Sequence, residues 1–260
     1  MSKSNYYIKT NRSFTNLRRS AWIFTLLVAV GGLWEPKLGL FVFLIMASLL
    51  VSAFFNGRYW CGNVCPHGSL FDNLLLPLSR NRQIPHVLKS KWFIGGFFIF
   101  FMFNFTRKLL QAFSFWGNYD FLDKLGFVMV GTYLVVLIIG GTLALLVTPR
   151  TWCQFCPMGT MQKGSHALGK SLGVAKKTEK KIAISDQEKC RQCGKCSRVC
   201  PFQLTPYLEF APHNQFDNIN CIKCGTCVNN CPAKILSLEK EKPIQGLPTN
   251  EAQHEQYCSS

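Results

Sequence analysis

Cys190-Arg191-Gln192-Cys193-Gly194-Lys195-Cys196-Ser197-Arg198-Val199-Cys200-Pro201 is the stretch that decides the fold, and Cys221-Ile222-Lys223-Cys224-Gly225-Thr226-Cys227-Val228-Asn229-Asn230-Cys231-Pro232 repeats it. Both runs read C-x2-C-x2-C-x3-C-P, the spacing that binds four-iron, four-sulfur clusters. Three thiolates on one tightly wrapped loop reach three corners of a cubane. Gly194 and Gly225 let the backbone turn close to the inorganic sulfur. The fourth cysteine lies past the loop and serves the other cluster. Pro201 and Pro232 fix the chain direction after it. One cluster is expected on Cys190, Cys193, Cys196 and Cys231, the other on Cys221, Cys224, Cys227 and Cys200. Zinc also uses C-x2-C pairs, but it does not need eight cysteines in two matching runs.

This segment, about residues 182–238, resembles the two-cluster bacterial ferredoxins, which implies a small α+β unit. Ile182-Ala183-Ile184 and Ile235-Leu236-Ser237-Leu238 alternate as short strands and are expected to pair with each other.

Working outward, the rest of the chain has a different composition. Of 260 residues, 48% are hydrophobic and only 16% charged, below the charged share of ordinary soluble domains. The apolar residues concentrate before Pro149, which predicts an all-α membrane bundle joined to the soluble unit. Four spans are expected: Ser20 to Trp34, Leu38 to Phe55, Trp92 to Phe105 and Phe127 to Thr148. The predicted order is a basic N-terminus (1–19), a four-helix membrane domain (20–162), a basic linker (163–181), the two-cluster unit (182–238) and a polar tail (239–260). Leu70 to Leu78 reads as an amphipathic piece along the membrane interface.

The formal net charge is +16; two clusters with four thiolates each would lower it by about four. No nucleic-acid motif accompanies the basic balance, so nucleic acid is not expected as a partner. Arg18, Arg19, Arg58, Arg80, Arg82, Lys89, Lys91 and Arg150 flank one side of the spans, and Lys37, Arg107, Lys108 and Lys124 the other. This asymmetry predicts an inner-membrane protein with both termini in the cytoplasm. The same charges suit anionic lipid or an acidic redox partner. Of the 13 cysteines all but Cys258 fall in motifs, and thiolates for iron fit a reducing compartment.

The membrane half carries an internal repeat. Arg58-Tyr59-Trp60-Cys61-Gly62-Asn63-Val64-Cys65-Pro66-His67-Gly68-Ser69 follows the second span, and Arg150-Thr151-Trp152-Cys153-Gln154-Phe155-Cys156-Pro157-Met158-Gly159-Thr160 follows the fourth. The shared frame is R-x-W-C-…-C-P-x-G-[ST], which points to a two-fold duplication of two helices and a motif. Cys61, Cys65, Cys153 and Cys156 read in three ways: a further thiolate-ligated cluster or metal, a reversible dithiol pair, or buried structural cysteines. Trp60 and Trp152 read as interface anchors. Arg58 and Arg150 are positive-inside residues that are also able to hold a quinone carbonyl. His67 is either a solvated loop histidine or the proton acceptor that quinol oxidation requires, and Asp72 is a weaker candidate of the same kind.

With these motifs the chain resembles the NapH/MauN family of polytopic ferredoxin-type proteins. Cys61 and Cys65 match that family's C-x3-C-P motif; Cys153 and Cys156 match it with one residue fewer. The resemblance implies an electron-transfer component of a quinol dehydrogenase. It would draw on the membrane quinone pool, with menaquinol as donor. A periplasmic iron–sulfur subunit and a downstream reductase, periplasmic nitrate reductase, would be its partners. Two other classes compete: a maturation or metal-reduction factor for a copper or haem-copper enzyme, and a redox sensor of the quinone pool.

Overall fold

The computed structural model describes residues 6–210 and 214–240. Cys258 and nearly all of the expected tail lie outside the described residues. In the membrane half, helix α1 is Trp22–Ala29, α2 is Phe41–Asn56, α3 is Lys91–Phe113, α4 is Phe121–Leu146 and α5 is Pro157–Ser171. A 3-10 turn at Pro36–Leu40 leads into α2. Three helical segments among the described residues are long and apolar enough to cross a membrane: Pro36–Asn56, Lys91–Phe113 and Phe121–Leu146. Helices suit that task because every interior backbone hydrogen bond closes within the segment.

The first of the four expected spans is broken. It consists of a short helix Asn16–Ser20, then α1, then a 3-10 turn at Gly31–Leu33. Gly31-Gly32 weakens the helix, and Gly32 lies against Val130 of α4, where a Cβ would overlap that side chain. The pieces still run along α4. Trp22 and Leu26 pack with Phe71 and Ala144 near its end, and Val28 and Ala29 pack with Met129, Val130 and Tyr133 nearer its start. The third expected span was drawn too short: α3 continues to Phe113, since nothing between Thr106 and Ala112 breaks a helix. The Leu70 to Leu78 piece turns inward rather than lying wholly along an interface, burying Leu70, Phe71 and Asp72 while Leu74 and Leu78 stay exposed.

Residues 163–171 are helix, not linker. α5 runs through them and packs on α2: Ser165 Oγ donates to the Leu50 carbonyl at 2.9 Å. Gly169 sits where a Cβ would overlap the Phe54 carbonyl oxygen. A short helix, Val174–Thr178, then delivers the chain to the sheet.

Strand β1 is Lys180–Ile184, β2 Gln215–Phe216 and β3 Leu236–Lys240; their order in the sheet is β2-β1-β3 and both pairings are antiparallel. Ile182 faces Leu238 and Ile184 faces Leu236, as the alternation predicts. Strand β2 was not foreseen, because two residues carry no period. The core joins Ile182, Ile184, Phe216, Ile235 and Leu236 to Cys190, Cys196, Cys221, Cys227 and Cys231.

The sheet unit sits on the end of α2 and on the first cysteine frame that follows it. Lys223 Nζ donates to the Asn56 carbonyl at 2.8 Å and to Glu179 at 2.7 Å. Asn63 Nδ2 donates to the Lys223 carbonyl at 3.2 Å. The N-terminal segment threads the same face. The Ile8 N–H donates to the Arg198 carbonyl at 2.9 Å, and Asn81 Nδ2 donates to the Tyr7 carbonyl at 2.8 Å.

Candidate functional site: two crossed cysteine frames

The two frames fold alike. After Arg58 comes a short helix Tyr59–Asn63, and Pro66 opens the next, Pro66–Leu70. After Arg150 comes Trp152–Phe155, and Pro157 opens α5. Proline at the first helical position lacks only an N–H that would have no partner there. It also keeps the preceding cysteine extended. Cys65 has φ −50° and ψ 119°, Cys156 φ −54° and ψ 127°. The extra residue of the first frame, Val64, falls between the short helix and Cys65, and both C-P cysteines still end in nearly the same conformation.

The arginines cross over. Arg58 Nη2 donates to the Cys153 carbonyl at 2.9 Å, and its guanidinium stacks 4.7 Å from the Phe202 ring. Arg150 Nη1 donates to the Cys61 carbonyl at 3.1 Å and lies 3.7 Å from Cys153 Sγ. Each guanidinium occupies space left by the other frame's glycine: a Cβ on Gly159 would meet Arg58, and one on Gly68 would meet Arg150. Arginine and glycine recur in the frame because each arginine reaches across to the opposite motif. Both are buried rather than lying on the surface as positive-inside residues.

Asp72 collects three of these charges. It accepts from Arg150 Nε at 3.1 Å and Nη2 at 2.7 Å, from Arg12 Nη1 at 3.3 Å and from Arg18. Burial pushes its carboxyl up, but the guanidiniums of Arg150, Arg18 and Arg12 more than offset that and hold it well below the usual carboxylate range. Asp72 is therefore not the proton acceptor that its sequence position suggested, because three guanidiniums hold it ionised.

Cys61, Cys65, Cys153 and Cys156 line one cavity of about 110 Å³, together with His67, Tyr133 and apolar side chains of α2, α3 and α4. Burial pushes Cys65 and Cys156 up to about 12, and the neighbouring thiols Cys61 and Cys153 add to the rise. Such thiols are poor nucleophiles at neutral pH, which weighs against a reversible dithiol. Among the described residues no three His, Cys, Asp or Glu side chains come close enough to hold a single ion. That holds for the eight cysteines of the sheet unit too, as expected where thiolates surround a multi-iron cluster.

His67 is not a solvated loop histidine. Its ring lies 4.4 Å from that of Tyr133 and donates to the Tyr133 backbone carbonyl, while Nε2 is buried without a partner. Donation from one ring nitrogen leaves the other with a free lone pair. Burial holds its pKa down to about 4, below the near-neutral value expected of a proton acceptor. Trp152 is also buried, packed edge-on to Phe97 and Phe155, and is no interface anchor.

In the sheet unit the two runs share one backbone course. Gln192 and Gly194 have φ of 46° and 67°, and Lys223 and Gly225 have 54° and 73°. Glycine adopts that left-handed region without strain. Cys200 lines a single cavity with Cys221, Cys224 and Cys227. Cys190, Cys196 and Cys231 share the unit's core, and Cys193 is exposed at the loop tip. These thiols fit the donor sets of two cubanes.

Comparison with known proteins agrees. Residues 38–85 and 130–174 each match a family described as a 4Fe-4S binding domain, and residues 189–236 match a 4Fe-4S dicluster domain family. The chain is a ferredoxin-like iron–sulfur protein. It is 26% identical over 160 residues to an uncharacterized protein of Methanocaldococcus jannaschii, covering 60% of this chain and 56% of that one. The chain thus spans a little over half the length of that relative. No solved structure matches it.

Proposed function

We propose that the protein is a membrane electron carrier that oxidises a quinol and delivers the electrons to its ferredoxin unit. The observation that carries this reading is the cavity at the helix ends: largely apolar, bordered by helices suited to a bilayer, and offering, among several buried polar atoms without a partner, one that can accept a proton, His67 Nε2. Oxidising one quinol to a quinone releases two electrons and two protons. His67, kept neutral by burial, accepts a hydrogen bond from a quinol hydroxyl and takes its proton as the electrons leave, when that hydroxyl becomes strongly acidic; Tyr133 fixes the ring that does so. Phe101, Phe105 and Met129 hold the ring of the substrate and exclude water. Cys190, Cys193, Cys196 and Cys231 hold one cluster, and Cys221, Cys224, Cys227 and Cys200 the other. Bound there, the clusters supply one-electron acceptors. Arg58, which also borders the cavity, and Arg150 act mainly by bracing the frames.

The family resemblance adds the surroundings: menaquinol in the inner membrane, the ferredoxin unit in the cytoplasm, a periplasmic iron–sulfur partner, and nitrate reductase as destination. Two matches to one family, each holding one C-P motif, support a duplicated membrane domain.

The test is anaerobic. A soluble quinol analogue added to the purified full chain should bleach the cluster absorbance. His67→Leu should slow bleaching by about a hundredfold or more, with iron content unchanged. Clusters that dithionite reduces but quinol does not would overturn the reading.

A further inference from the structure

The two crossed frames do more than border a cavity. They bring four thiols together from motifs far apart in sequence, and they surround them with uncompensated charge. Arg12, Arg18 and Arg150, each at most 3% exposed, pair with Asp72, and Arg58, equally buried, reaches the Cys153 carbonyl and the Phe202 ring instead. Four positive charges against one negative leave an excess of three. Buried charge without a partner is costly. The ferredoxin-unit site at Cys200 and Cys224 lies beside Arg12 and Arg18 and offsets part of it; neutral thiols or disulfides in the frames would leave the rest unmatched. A cubane with four thiolates brings a net charge of about −2. The four thiols also line a single cavity, which leaves room between them for a multi-iron cluster.

We propose that Cys61, Cys65, Cys153 and Cys156 hold a third four-iron, four-sulfur cluster, with Arg58 and Arg150 as its counter-charges. Its position is that of an entry station. Cys61 and Cys153 pack with Phe202 and Ile222, and through them against Cys200 and Cys224 of the ferredoxin unit. Gly62 permits this approach: a Cβ there would overlap the Ile222 carbonyl oxygen. The Cys200, Cys221, Cys224 and Cys227 site therefore lies next in line. The site that includes the exposed Cys193 lies last and faces a partner. With clusters bound at all three, the cysteine sets would hold one-electron carriers in that order.

This inference shares the cavity with the quinol reading but not its test. Iron and acid-labile sulfide are counted on anaerobically purified, reconstituted full-length protein without any quinol. The expected count is about twelve iron atoms per chain, and the Cys61→Ser, Cys153→Ser double variant should lose about one third of it while keeping the ferredoxin unit's reduced spectrum. A wild-type count near eight would overturn the proposal, whatever the variant does. So would equal iron in variant and wild type, or one equivalent of zinc in place of the missing iron. Twelve iron atoms in a protein that no quinol reduces would sink the quinol reading and leave this one standing.

Discussion

Asp72 shows how much one side chain decides. Three guanidiniums, two from the N-terminal segment and one from the second frame, meet on its two oxygens. Asp72→Asn keeps the shape and removes the charge, leaving all three arginines buried opposite a neutral amide. Breaking a buried ion pair from one side costs about 3–5 kcal/mol, so the variant should lose its thermal transition in detergent at a clearly lower temperature. The pH dependence has a definite sign. The folded carboxyl is held below its unfolded value, so its contribution is complete above about pH 4 and is lost as pH falls toward the folded value. Glu179, held down to about 2 by His166 and Lys223 against its own burial, acts over the same acid range. Wild type should therefore lose stability on acidification below about pH 4, and Asp72→Asn should lose less over that interval. Equal acid sensitivity in both would show that Asp72 is not the charged centre of the cluster. In the sequence, the eight ferredoxin cysteines announce themselves because their ligand geometry is local. Asp72 does not, since its partners lie 54, 60 and 78 residues away. His67 was visible as a candidate, but its burial depends on Tyr133 of another helix.

At the scale of elements, the informative positions are those where two backbones touch. Gly62 of the first frame lies against the Ile222-Lys223-Cys224 loop, and Gly39 and Gly126 are matched where the Pro36–Leu40 turn crosses α4. Gly62→Ala forces a methyl into the Ile222 carbonyl, an overpacking that costs about 1–3 kcal/mol. None of the cysteines is altered, so the iron content should stay at the wild-type value. The amides of Ile222 to Cys224 should exchange their hydrogens faster, and the ferredoxin unit should become easier to release by protease. Unchanged exchange would mean that the contact carries no load. Element by element, sequence reading succeeded where the pattern was self-contained: the β1–β3 pair and the apolar core of α2 and α4. It failed where a neighbour decided the outcome. Residues 163–171 look polar and linker-like alone, yet Gly159, Gly164 and Gly169 belong to a helix, and Gly169 packs on α2. Ser20 to Trp34 looks like one span, yet its glycines fit α4 only by interrupting the helix.

At the scale of the whole molecule, the question is how many times the chain crosses the membrane. The N-terminal segment and the ferredoxin unit touch at Ile8 and Arg198 and at Thr10 and Asn230, so they occupy the same face. Three crossings would put them on opposite faces. Three helices among the described residues are long and apolar enough on their own, so a four-crossing topology would take its fourth passage from the broken segment between Asn16 and Trp34. Helical residues over that stretch would cover about 28 Å, close to the ~30 Å hydrocarbon thickness, and its packing along α4 supplies the direction. Reporter fusions test this at both ends of the chain. A fluorescent protein that folds only in the cytoplasm should light up at the N-terminus and after Lys240 alike, and an alkaline phosphatase that works only outside should be active after Trp116. A fusion pair that reports opposite sides would reduce the count to three crossings. It would also separate the N-terminal strap from the ferredoxin face, and with it Arg12 and Arg18 from the charge that Asp72 balances.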